Sequence, residues 1–374
     1  FPGTTWSYDD HFADVLPKML RKNDGDNMIV CVRSTNPDYP KYVNFSIPKI
    51  FASYVIDSGS IFFRLTEVRQ KIVGINASNC SLKGAVPEFL LKMETISVVN
   101  LSDNKLTGKL SSNVFCANRC SCQYQKFILL SSNELEGQVP AIGCKRLYIL
   151  DLSRNYFDSL HKDILYSHTE TDLFIKLKMN RINGSFPIVR NQSVRHLDLS
   201  HNDLTKFPKF AIHDTQKQDL KIFVNDNRIG GSLHIKNSNL THLDANHNEI
   251  TDVFIIRERP KNGLKALFVG NKIKEFPYII DPKLELIDLS HNTSIAIIGS
   301  EKIHRKFDNE CCIKLSGMDQ IVLSGKYINY NIKIELDRED GVYILEDEPK
   351  KPEVRETNMK DDLEDLRRFE NLSR

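Results

Sequence analysis

Residues 195–208 read RHLDLSHNDLTKFP. Leu197, Leu199 and Leu204 carry the spacing of a core face, yet Asn202 stands among them, and amides are rarely buried without partners. A fold that places an asparagine there must use it to satisfy backbone, because its carboxamide offers two donors and one acceptor and tolerates turn conformations.

The arrangement Leu-x-Leu-x-x-Asn-x-Leu returns along the chain. Its amide position is filled by Asn104, Asn133, Asn155, Asn180, Asn202, Asn227, Asn248, Asn271 and Asn292, and upstream by Cys80. The mean spacing of these ten copies is about 24 residues. Each copy predicts one short strand, and successive copies stack about 4.8 Å apart into a parallel sheet. The Asn side chain is expected to bond the backbone of its own coil and of the next, so that a costly lone amide is satisfied in a row.

This consensus and period resemble those of leucine-rich repeat (LRR) proteins, over roughly residues 70–300. The resemblance implies an α/β solenoid, a horseshoe or arc with a parallel concave sheet. Five copies continue as LKGAVP, LTGKL, LEGQVP, INGSFP and IGGSL at 82, 106, 135, 182 and 229, similar to the Leu-x-Gly-x-x-Pro signature of plant-type repeats. In it Gly permits a tight bend and Pro ends an extended segment. LTKFP at 204 and IKEFP at 273 lack the Gly, and Trp6 is far from the first repeat, so no plant receptor or inhibitor function is carried over.

The division expected is a cap over 1–70 (a short helix within 8–22, then strands near 28 and 60), repeats over 71–302, a strand-rich cap of hairpins over 303–345 and a charged tail over 346–374. In the tail Met359, Leu363, Leu366, Phe369 and Leu372 fall on one helical side. That side is read as docking either on the chain's own cap or on a neighbouring subunit, which makes self-assembly through the tail one expected partnership.

The 374 residues hold 51 basic and 49 acidic side chains, a net +2, which offers no electrostatic case for nucleic acid. No apolar run of membrane-spanning length occurs. Numbering opens at Phe1, as in a chain from which a secretory leader was removed. Eight cysteines and nine Asn-x-Ser/Thr triplets suit an exported glycoprotein. The sequons expected to carry glycan are Asn44, Asn76, Asn79, Asn100, Asn183, Asn191, Asn239 and Asn371; Asn292 stands in the asparagine row and is expected to be too buried. Cys116 and Cys144 occupy nearly equivalent places on adjacent coils, which predicts a disulfide, and Cys31–Cys80 would tie the first cap to the first coil.

No Gly-x-Ser-x-Gly, His-Glu-x-x-His or phosphate-binding loop is present, and the acidic turns at 23 and 337 lack calcium-loop spacing. No catalytic residue, cofactor or metal is assigned. His196, His242, His201, His247 and His291 are expected to be solvated surface. The concave face is the expected binding surface, with Phe127, Leu129, Phe174, Lys176, Lys178, Phe223 and Leu267 as contact anchors. The chain therefore reads as a secreted, non-catalytic module that binds a protein or glycan, with a structural subunit of an extracellular assembly as the alternative.

Overall fold

The computed structural model describes residues 27–33, 42–48, 72–94, 96–115, 125–165, 171–209, 219–292, 295–298, 302–303, 306–317, 321–324, 331–335 and 342–345. The helix expected within 8–22, the strand near 60 and the whole tail with its five apolar positions lie outside them.

Apolar residues at alternate strand positions dictate the coil. Leu197, Leu199 and Leu204 have no solvent exposure, and the equivalent residues of the neighbouring coils (Ile175, Leu177, Ile182; Ile222, Val224, Ile229) are equally covered. Each such side chain contributes roughly 1.5–3 kcal/mol by leaving water. A single coil cannot bury this stripe, so the coils stack and share one continuous core.

The principal sheet has fourteen strands. Twelve run parallel, one per coil, from Ile72–Asn76 through Val194–Asp198 to Ile332–Glu335. At the amino-terminal edge Asn27–Arg33 pairs antiparallel with Ile72–Asn76, and Tyr42–Pro48 pairs antiparallel with Asn27–Arg33. This hairpin covers an edge that would otherwise expose unpaired backbone.

At the other end, the described strands do not pair as hairpins. Cys311–Lys314 and Ile332–Glu335 pair parallel with their neighbours and extend the solenoid by two coils. Their sequences keep the alternation of Cys311, Ile313 and Leu315 but lack the corner Asn, with Met318 in its place, which is why the repeat was not legible there.

Only one helix occurs among the described residues, Glu88–Lys92. The α/β expectation is thus corrected to a β-solenoid. The segment after each corner is extended instead, and it forms further parallel sheets, one of which joins Lys83–Ala85, Lys105–Lys109, Glu134–Val139 and Tyr156–Leu160. In the five Leu-x-Gly copies the glycine has φ between +74° and +87°, a region that other L-residues enter only under strain. The short helix ends against Lys126, whose buried ammonium donates to the carbonyls of Leu91 (2.6 Å) and Met93 (3.0 Å). A cation on the last carbonyls satisfies groups that no further turn would reach.

Candidate functional site: the concave face

The corner asparagines fix the strands that carry this face. Asn202 Nδ2 donates to the Leu199 carbonyl of its own coil and to the Leu177 carbonyl of the preceding one, both at 3.0 Å, while its Oδ1 accepts the Ile182 N–H at 3.0 Å. Asn133, Asn155 and Asn180 repeat the pattern, as do the remaining corners from Asn104 to Asn292. The partner is the preceding coil, not the next, and the amides meet backbone rather than one another. The residue before each Asn takes left-handed φ, from Asp103 at 56° to His291 at 57°, and this turns the carbonyls onto the carboxamide.

A row of rings crosses the sheet above these corners. Phe127, Tyr148, Phe174, His196, Phe223 and His242 lie on six successive coils, with centroid separations of 5.3, 5.0, 6.3, 4.9 and 5.0 Å. Three members, Phe127, Phe174 and Phe223, are anchors expected from the sequence, and the structure brings them together. Tyr148, His196 and His242 were missed. Tyr148 has the wrong parity for this face, but a register shift between Lys126–Phe127 and the neighbouring strand carries it into the row. The two histidines correct the expectation of solvated surface. Phe127 is buried rather than exposed, and Leu129 and Leu267 are half-buried outside the row.

The electrostatics follow from this packing. Burial lowers His196 to about 4, with Asp198 opposing and Lys176, Lys221 and His242 reinforcing the shift. His242 is lowered for the same reason, against Asp244 and with Lys221 and Lys265. Both rings are therefore neutral at physiological pH. Burial also lowers Lys176, against the pull of Asp151 and Asp198 on either side. Beside the row lies an open concavity of about 430 Å³ lined by Ser131, Ser132, Asp151, Ser153, Arg154, Lys176, Lys178, His196 and Asp198.

The other histidine column lies at the corners. Asp226 sits between His201 and His247, with Oδ2 3.4 Å from His201 Nε2 and Oδ1 3.1 Å from His247 Nδ1. Burial would raise this carboxyl, but hydrogen bonds from Asn225 and His247 and the nearby imidazoles hold it below its ordinary value. Among the described residues no group of three His, Cys, Asp or Glu side chains is placed to hold a metal. Likewise no described helix is long and apolar enough to cross a membrane.

Several sequons prove to be structural. Asn76, Asn100, Asn191 and Asn239 are buried, at 0, 6, 1 and 2 % exposure. Asn76 and Asn100 accept the N–H groups of Ser78 and Ser102, as Asp151 and Asp198 do for Ser153 and Ser200 at the same place in their coils. Asn79 and Asn183 are exposed, and Asn292 is covered as expected. Asn371, Cys116, Cys120 and Cys122 lie outside the described residues, as do the side chains of Asn44 and Cys31. Cys80 and Cys144 are buried, and the two disulfide pairings stand as expectations.

The coil, its corner asparagines and the parallel concave sheet define a leucine-rich-repeat solenoid. The Leucine Rich Repeat family model matches residues 193–213, the coil of Asn202. No curated protein matches the chain. Among solved structures, the crystal structure of a plant ice-binding protein aligns at 19% identity over 52% of this chain and 63% of that one, with a TM-score of 0.38. The LRR ectodomain of the Arabidopsis thaliana receptor kinase GASSHO1/SCHENGEN3, solved with Casparian strip integrity factor 2, aligns at 15% over 73% of this chain and 39% of that one, with a TM-score of 0.47. The APL1 leucine-rich repeat domain aligns at 19% over 73% and 74%, also at 0.47. The chain thus spans less than two thirds of the first two of these proteins.

Proposed function

We propose that the protein is a non-catalytic extracellular recognition module that holds an extended segment of a protein partner across its concave sheet. The observation that carries this reading is the unbroken row of six rings. Five inter-strand steps of about 4.8 Å make a track of roughly 24 Å, the length of seven or eight extended residues. A glycan is the less suitable occupant. Sugars stack on broad open ring faces, whereas neighbouring rings here stand 4.9–6.3 Å apart with planes inclined by 26–53°, an array that offers edges as well as faces. Aromatic edges carry partial positive charge and suit carbonyl oxygens and aliphatic side chains.

The test is selection of binders from a phage-displayed library of random 12-residue peptides against the intact chain. Binders whose affinity falls at least tenfold with Phe174→Ser or Phe223→Ser support the reading. Binders indifferent to both substitutions, in variants that melt like the parent, remove it. An oligosaccharide array on the same proteins reports the glycan alternative directly.

A further inference from the structure

Two cations in the concavity beside Phe174 have no structural employment. Lys178 occupies a strand position that the flanking coils fill with Ser153 and Ser200, so the lysine departs from its own repeat. Arg154 stands at the left-handed corner of the preceding coil, with φ of 55°. Neither the Lys178 ammonium nor the Arg154 guanidinium has a hydrogen-bond or ion-pair partner among the described residues, although both line the same hollow.

The carboxylates nearby are already committed. Asp151 Oδ1 accepts the Ser153 N–H at 3.0 Å, and Asp198 Oδ1 accepts the Ser200 N–H at 3.0 Å and its hydroxyl at 2.6 Å. The same two carboxylates flank Lys176 and balance its charge. The lining therefore carries three cations against two carboxylates, with the excess at Lys178 and Arg154. The Ser132 and Ser153 hydroxyls add two donors whose oxygens make no side-chain hydrogen bond among the described residues.

We propose that this hollow seats an acidic side chain of the bound polypeptide between Lys178 and Arg154, while the ligand's apolar residues lie over the half-buried Tyr148 and Phe174. The inference rests on the peptide-binding reading above and adds the ligand's chemistry to it. Lys178 is half-buried and Arg154 exposed at the rim. The ammonium, screened by less water, therefore attracts a carboxylate more strongly than a fully exposed cation does, and the guanidinium adds to it. A charged contact of this kind also fixes register along an otherwise uniform row of rings.

The experiment compares the parent with Lys178→Ser, which restores the residue of the flanking coils, and Arg154→Asn, which keeps a residue tolerant of left-handed φ. Random 12-residue peptides selected on the parent should be enriched in Asp or Glu next to apolar residues. They should lose about tenfold in affinity on either variant, and that loss should shrink as salt rises. Binders that need Phe174 and Phe223, show no acidic enrichment and ignore both cation substitutions overturn this inference and leave the proposed function standing. A library that yields no binder dependent on rings or cations removes both. Retention on heparin that both substitutions abolish, without acidic peptides among the binders, assigns the cations to a sulfated glycan and also overturns the proposal.

Discussion

Arg257 Nη1 lies 3.3 Å from Asp281 Oδ2, and neither side chain has any solvent exposure. The pair is incompletely satisfied. Arg257 Nη2 donates to the Asn262 carbonyl at 2.6 Å and Asp281 Oδ1 accepts the Lys283 N–H at 3.0 Å, but Arg257 Nε and Nη1 and Asp281 Oδ2 make no hydrogen bond. Removing one partner strands a buried charge, so Arg257→Met is expected to cost about 3–5 kcal/mol, whereas Arg257→Met with Asp281→Leu recovers most of it. Urea unfolding of the two variants decides. A double variant no better than the single one would show that the pair itself stabilises the coil.

The same pair gives stability a pH dependence. Burial pushes the Asp281 carboxyl up from 3.8 to about 6, although Arg257 pulls the other way. Between those values the folded chain holds more proton than the unfolded one, so this group's contribution is full below pH 4 and is lost as pH rises through 6. The difference in unfolding free energy between Asp281→Asn and the parent should therefore shift in the variant's favour between pH 4 and pH 7. A constant difference would contradict the assignment.

Asn202→Ala tests the corner. It would leave the Ile182 N–H and the Leu177 and Leu199 carbonyls without this partner. With about 1–3 kcal/mol lost per stranded buried group, a cost of several kcal/mol is expected. Asn202→Asp should be no better, because it keeps the acceptor but turns a second oxygen toward carbonyls. A loss below about 1 kcal/mol, measured by urea titration, would mean that the corner is closed by something else.

The asparagine row was legible because a polar residue recurring in a core face has few physical explanations. The five glycines were legible for a similar reason, since their positive φ narrows the choice of residue. The binding face was half legible. Phe127, Phe174 and Phe223 fall at outward positions of the repeat, but Tyr148 reaches the row only through a shift in strand register, which no local pattern announces. The corner residues before each Asn are the other omission. The SHN of residues 200–202 reads as a common variant, and its left-handed histidine is evident only once the carbonyls are seen turning onto Asn202. The scarcity of helix among the described residues was hidden because an extended and a helical return segment both satisfy the same strand consensus.

His196 offers a titration test. Its folded value of about 4 lies below the ordinary 6.5. Between those values the unfolded chain takes up the proton and the folded chain does not, so this group's contribution is full above pH 6.5 and is lost as pH falls toward 4. His196→Phe should remove that part of the acid sensitivity and keep the ring row intact. Histidine resonances followed by NMR give the direct readout, and a midpoint near 6.5 for His196 would show that the ring is solvated.

Gly270 has φ of 65°, and a Cβ there would lie 2.7 Å from His247 Cδ2. Gly270→Ala is accordingly expected to lose roughly 1–2 kcal/mol from left-handed strain, with a further part from the clash. Adding His247→Ala should return only the clash component, because the backbone strain remains. Thermal unfolding of the single and double variants separates the two. A double variant as stable as His247→Ala alone would place no strain at this corner.

Sequon occupancy tests compartment and burial together. Asn79 and Asn183 are exposed, whereas Asn76, Asn100, Asn191, Asn239 and Asn292 are buried, four of them accepting backbone N–H groups. A glycan on any of the buried five would hold its coil open. Expression through a eukaryotic secretory pathway, followed by glycopeptide mapping of the folded fraction, should find sugar on Asn79 and Asn183 and bare asparagine at the five. Sugar on Asn76 or Asn239 of a folded chain would contradict the burial of those side chains. Bare asparagine at Asn79 and Asn183 as well would remove the support that sequons give to an extracellular role.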